Sequence, residues 1–267
     1  GILSPGAVAT EERNVRAAIE TMDVEGLPVS SLGQKHLRAL LVAEAGRPTT
    51  ARHRFGAVSR FLDWCQDEGS IARNPCSDVG KARRPRTPPP RTHHLGMPQI
   101  AKLWNAAGAL VDDPDWTGFQ EVHRDLSRFL LAVPSRRSEA ASMDWSHIDL
   151  SAGVWVMPGL LTKNGDPHRL PLPYLAHVIV LTRWETAGQP KRGLVFPSPK
   201  ARGAVTTWSD MKAAMDKASG ITGWTWHDLR RSFVTALADN GVAEAVADAM
   251  LNHRQAATRG GVLGVYQ

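Results

Sequence analysis

Between Lys81 and His94 the sequence reads Lys-Ala-Arg-Arg-Pro-Arg-Thr-Pro-Pro-Pro-Arg-Thr-His-His, a run that neither a helix interior nor a central strand can accommodate. Its prolines favour an extended, semi-rigid backbone, and five basic residues (Lys81, Arg83, Arg84, Arg86, Arg91) interleave with them. The chain must therefore organise itself on either side of this stretch. The reading is a helical domain over residues 1–80, a basic Pro-rich linker over 81–94 and a larger domain over 95–267. The linker charges suit a row of phosphates, although a solvated tether that contacts nothing has the same composition.

With 267 residues, 42% apolar and 22% charged, the chain can bury two cores and has the balance of a globular protein. A net charge of +6 and a pI of about 9.7 point towards polyanionic partners without identifying one. Cys65 and Cys76 have no metal-ligand spacing and make no disulfide framework, so a reducing cytoplasm is the expected location. No apolar run is long enough to span a bilayer and no signal peptide is visible, so no membrane partner is expected. The first residue is Gly1 rather than Met, as in a trimmed or processed piece.

Periodicity gives three helices before the linker: residues 10–24 through Val15, Ala18, Ile19 and Met22; Gln34 to Ala45; and a third opening at Thr49 or Thr50 and running to Asp67. The apolar face of the third is Phe55, Val58, Phe61 or Leu62, and Cys65, with Arg52, His53, Arg54 and Arg60 around the remainder. Beyond the linker, helices are expected at 98–110, 122–133, 173–186, 206–219, 227–239 and 242–251. Ser135 is read as the cap of a further helix starting at Arg136-Arg137. Val154–Met157 and His168–Leu172 read as strands, with Asn164-Gly165 between them as a hairpin signal. The fold class is mainly α: a small helical domain plus a mostly helical one with a small antiparallel sheet.

Trp224-Thr225-Trp226-His227-Asp228-Leu229-Arg230-Arg231 holds the strongest chemical signal. It reads as a helix start that Thr225 and Asp228 can cap, with Leu229, Phe233, Ala236 and Leu237 as the buried stripe. His227 and Arg230 are three apart and so share a face, where they form an anion clamp, with Arg231 turned further towards solvent. A surface helix with one cation in its first turn would look the same. Arg136 and Arg137 oppose the dipole of the helix they open, a broken local rule that suggests phosphate binding. Glu139 can orient Arg136 one turn on, or the two form an ordinary surface pair. Lys163 at the hairpin tip, His253 after Leu251-Asn252, and Tyr266 after Gly260, Gly261 and Gly264 are each unremarkable alone.

In order, Arg136 with Arg137-Ser138-Glu139, Lys163 before His-Arg-Leu-Pro-Leu, His227-Asp-Leu-Arg230, Leu-Asn-His253 and Tyr266 resemble the tyrosine recombinase (phage integrase) family. Trp145-Ser-His-Ile-Asp149 matches the family segment downstream of the first arginine. Thr49 to Pro75 looks, more weakly, like a core-binding domain. The resemblance implies site-specific DNA recombination through a 3′-phosphotyrosine intermediate, for a phage or integrative mobile element. Tyr266 would be the nucleophile, Arg136 and Arg230 would hold the scissile phosphate, His227 and His253 would bond it or move protons, and Lys163 would protonate the leaving oxygen. Glu139 and Asp149 would support them. Arg52, Arg54, Arg83, Arg84, Arg86, Arg91, Arg137 and Arg231 would bind DNA. No cofactor and no metal are implied. The partners would be double-stranded DNA, a homotetramer on two DNA sites formed from a monomer or weak oligomer, and a directionality factor. The place would be a bacterial cytoplasm or nucleoid. Val133-Pro134 replaces the family's usual Thr-Gly, the spacing from His253 to Tyr266 is longer than in many members, and Gln267 closes the chain one residue after Tyr266. The same fold also fits type IB topoisomerase-like relaxation, or a DNA-binding protein without the reaction.

Overall fold

Three helices make the first core of the computed structural model, which describes residues 5–162 and 165–252. They are α1 (Pro5–Met22), α2 (Gln34–Ala43) and α3 (Pro48–Asp67). α1 begins before the expected Thr10, because Ala7, Val8 and Ala9 favour or tolerate a helix and extend it. α3 begins at Pro48, whose missing N–H costs nothing in a first turn. Of the two candidates on α3, Leu62 is buried and Phe61 exposed. Ala18, Met22, Leu37, Leu40, Val58, Leu62 and Cys65 pack together, joined by Ile71, Cys76 and Val79 from the segment that follows.

The chain forms two compact units, Gly1–Arg91 and Thr92–Gln267, each with its own core. The basic segment divides between them. Arg84 donates to the carbonyls of Val79, Cys76 and Ser77 at 2.9, 3.1 and 3.2 Å, which ties it to the first unit. Leu95 donates its N–H to Ser232 Oγ at 2.7 Å, which ties its own stretch to the second.

The second unit contains α4 (Met97–Ala109), α5 (Glu121–Ala132), the short α6 (Arg137–Ala141), α7 (Tyr174–Thr186), α8 (Trp208–Ser219), α9 (Trp226–Asp239) and α10 (Glu244–Met250). Its sheet is antiparallel in the order β1 (Ile148–Asp149), β2 (Val154–Met157), β3 (His168–Pro171). Trp155 faces Ile148 on one side and Leu170 on the other, and its fully buried ring meets Phe129 edge-on at 5.9 Å. α4 packs on α5 and α8, and α5 on α7. The fold is thus mainly helical with one small antiparallel sheet. Strand β1, only two residues long, carries too little pattern to be read from sequence.

The expected hairpin forms, with β2 and β3 paired antiparallel and a 3-10 turn at Gly159–Leu161 in the segment between them. Gly165 takes the positive φ of +78° expected of it. The stripe on α9 is displaced. Trp226, Leu229, Arg230 and Ser232 are buried, whereas Phe233, Ala236 and Leu237 are only partly so.

Candidate active site

The starts of α6, α8 and α9 converge on a cleft of about 480 Å³. Arg136, Arg137, Trp208, Lys212, Trp226 and His227 line it. Six residues spanning more than ninety positions in sequence thus meet at one concave surface, four of them carrying cationic or imidazole nitrogen groups suited to an anion.

Arg136 reaches the cleft by a different local route from the one expected. It is itself the cap of α6, in extended backbone (φ −75°, ψ 145°), and Ser135 stands outside the helix. Glu139 is the organiser. One carboxylate oxygen accepts the Arg136 backbone N–H at 2.8 Å and the other accepts Nη1 at 2.5 Å. Glu139 is 6% exposed, so this is a desolvated pair that fixes the guanidinium, unlike a surface pair. With only five residues, α6 adds little dipole of its own, and the charge is carried by the side chain.

Arg230 lies beneath the cleft, 5% exposed. Nη1 donates to the Pro134 carbonyl at 2.7 Å and Nη2 donates to the Leu251 carbonyl. One side chain thereby joins the stretch before Arg136 to the end of α10. Burial, and then repulsion from Arg136, push its pKa down to about 10 against the pull of Glu139, so it stays charged at neutral pH.

His227 is exposed at the first turn of α9. Desolvation, followed by the charges of Arg231 and Arg230, lowers its pKa, with Asp228 opposing, so its ring is neutral at pH 7. Asp228 is fully buried and structural. It accepts the Thr225 N–H at 2.8 Å and Arg231 Nη1 at 2.5 Å. Arg231, expected towards solvent, is therefore half-buried and held by its own helix.

The remaining expectations separate cleanly. Lys163, His253 and Tyr266 lie outside the described residues. Asp149 is exposed and does not line the cleft; its carboxylate accepts Ser151 Oγ at 2.7 Å and the Ala152 N–H at 2.9 Å, closing the β1–β2 turn. Those bonds, led by the one from Ala152, hold its pKa low. Arg54, expected to face DNA, instead pairs with the buried carboxylate of Glu44 and bonds Thr21 Oγ1 at 3.3 Å. Arg84 is likewise committed to backbone carbonyls. Arg52, Arg83, Arg86, Arg91 and Arg137 are exposed.

Sequence reasoning missed three residues. Trp208 and Lys212 stand one turn apart on α8 and line the cleft; an aromatic followed by a cation at that spacing was a usable signal. His168 on β3 sets Nε2 at 3.2 Å from the Met250 carbonyl, tying the sheet to the end of α10. Its pKa is lowered by desolvation and senses Glu139, Arg230 and Arg136, which locates the ring beside the same cluster. Only its neighbours in space reveal it.

Comparison with known proteins accords with this geometry. The phage integrase family model matches residues 108–259, over half of the chain. Prophage integrase IntF of Escherichia coli (strain K12) is 24% identical over 241 residues, covering 86% of this chain. The chain spans 49% of that protein's length, about half. Tyrosine recombinase XerD of Mycobacterium tuberculosis is 27% identical over 236 residues, covering 85% of this chain and 70% of its own. Among solved structures, a lambda integrase tetramer bound to a Holliday junction superposes with a TM-score of 0.72 at 17% identity, covering 100% of this chain and 72% of that one. The Tn1549 transposon integrase (residues 82–397) gives 0.63 at 14% identity, covering 100% and 94%. The likeness in structure is one of fold, and the match to the family model carries the assignment: the chain belongs to the phage integrase family.

Proposed function

We propose that the chain is a site-specific DNA recombinase that cuts and rejoins duplex DNA through a 3′-phosphotyrosine. The observation that carries this reading is the meeting of Arg136 and His227 in one cleft with Arg230 buried beneath it, in a member of the phage integrase family. In the reaction Tyr266 Oη passes its proton to a neutral histidine, His227 or His253, and attacks the scissile phosphorus; the bond to the 5′-oxygen breaks, and Lys163 gives that oxygen a proton. Attack by a second 5′-hydroxyl reverses the sequence on a new partner. One phosphoester replaces another, so no nucleotide cofactor is consumed, and the chemistry asks for no metal.

Arg136, oriented by Glu139, supplies donors for the non-bridging oxygens, and Arg230 adds charge from below. These groups stabilise the pentacoordinate transition state, where one well-placed donor is worth on the order of 10²–10³ in rate. Neutral His227 offers a hydrogen bond without holding a proton of its own in excess. His253 is assigned the same kind of role. The partners on this reading are two DNA sites brought together by a tetramer, with a directionality factor for a phage or mobile element, in a bacterial cytoplasm.

The test is a suicide duplex nicked near the crossover point. The wild type is expected to accumulate a covalent protein–DNA adduct in EDTA, and Tyr266→Phe none. An adduct with Tyr266→Phe, or none with the wild type, would overturn the assignment. Relaxation of supercoils by the monomer without exchange between two sites would make it a topoisomerase instead.

A further inference from the structure

Resting on the reading just given, we propose that the α8 side of the cleft is a second nucleotide subsite. Lys212 and Arg137 take the phosphodiester next to the scissile one, and its sugar lies against Trp208.

The wall is built for this. Trp208, Trp224 and Trp226 pack edge to face, with centroids 5.5 Å apart for Trp208–Trp226 and 5.1 Å for Trp224–Trp226. Trp226 Nε1 donates to the Trp208 carbonyl at 3.1 Å, locking α8 to α9. Each end of this ladder carries a cation. The Arg137 guanidinium sits 5.6 Å from the Trp208 centroid and the Lys212 ammonium 5.0 Å from that of Trp224. Asp216 sets Lys212 in place. One of its oxygens accepts Lys212 Nζ at 2.5 Å and the other accepts Trp224 Nε1 at 2.7 Å. An ammonium has three donors, so this leaves Lys212 able to bond a phosphate from a fixed position. Held this way, both cations lose little freedom when an anion arrives.

Size and polarity agree. The cleft, at about 480 Å³, exceeds what one phosphate fills and falls in the range that takes a nucleotide-sized group. Ser135 also lines it, 7% exposed. Arg136 and His227 line the same cleft, so two successive phosphates of one strand would account for both sets of groups.

The test is the salt dependence of binding by the full chain. A fluorescein-labelled duplex of random sequence suffices, because backbone contacts need no target site. From anisotropy titrations across a series of NaCl concentrations, Lys212→Gln and Arg137→Gln should each reduce the slope of log K against log[salt] by about 0.9. Lys212→Arg should keep the wild-type slope. Lys191→Gln, on an exposed loop outside the cleft, should leave it unchanged. Trp208→Ala should weaken binding roughly tenfold and Trp208→Phe much less. Arg137 is exposed, so its variant reports even if Lys212→Gln fails to fold. Wild-type slopes for both charge variants would overturn the proposal. If Arg136→Gln alone lowers the slope, the recombinase reading stands and this subsite does not. If both charge variants lower it while Tyr266→Phe still forms an adduct, the subsite stands and the recombinase reading falls.

Discussion

Arg230 has two duties that pull on the same five donors. It holds the carbonyls of Pro134 and Leu251, and on the proposed mechanism it also faces the scissile phosphate. Arg230→Gln should strand buried acceptors, each costing about 1–3 kcal/mol. Arg230→Lys keeps the charge but has no planar fork to span two carbonyls. Both variants should therefore lower the urea midpoint as well as the adduct rate, the latter by on the order of 10²–10³. Unchanged stability in both would refute the bridging role. At this scale sequence told much about kind and little about partners. His227 and Arg230 were legible because three-residue spacing on a helix is local. That Arg54 pairs with Glu44 was not, because the contact is not local in sequence. His168 was invisible for the same reason.

Elements were legible where the pattern is long and misplaced where a cap decides. α9 starts beside the expected residue because Asp228 is a strong local signal. α6 shifted by one because Glu139 caps Arg136 from inside the helix, so the serine next door is not needed. The same device, with histidine in place of a carboxylate, starts α5. His123 Nδ1 accepts the Gln120 N–H at 2.9 Å and is 2% exposed, and burial, then Lys200, lower its pKa. A protonated Nδ1 cannot accept, so the cap is lost with acid. The sign follows from linkage: a depressed folded pKa means the unfolded chain binds more protons, and stability rises with pH. This contribution is complete above the unfolded value near 6.5 and is lost as pH falls through the folded one. His123→Gln can still accept at that position without titrating. Its melting temperature should fall less than the wild type's between about pH 7 and pH 5. His168 and His227 shift in the same direction, so a residual slope should remain.

For the whole molecule, the prolines and charges of 81–94 are the sequence basis for expecting a division, and each of the two units closes its own core. Residues 92–267 expressed alone should keep a helical circular dichroism spectrum and one cooperative transition. Their affinity for duplex DNA should drop by about a hundredfold, since linked modules reinforce each other. An unfolded fragment would contradict separate cores, and undiminished affinity would remove residues 1–91 from the interface. What sequence could not supply here is the cleft itself, since three helix starts must meet before there is one.

A pKa moved from 12.5 to about 10 is also an energy. It corresponds to roughly 3 kcal/mol by which the surroundings fail to solvate the Arg230 charge. Folding thus leaves a debt that the polypeptide does not settle internally. An anion above that guanidinium would repay it, so occupation by substrate and cohesion of the fold are thermodynamically linked. On the proposed function, the DNA backbone would supply that anion.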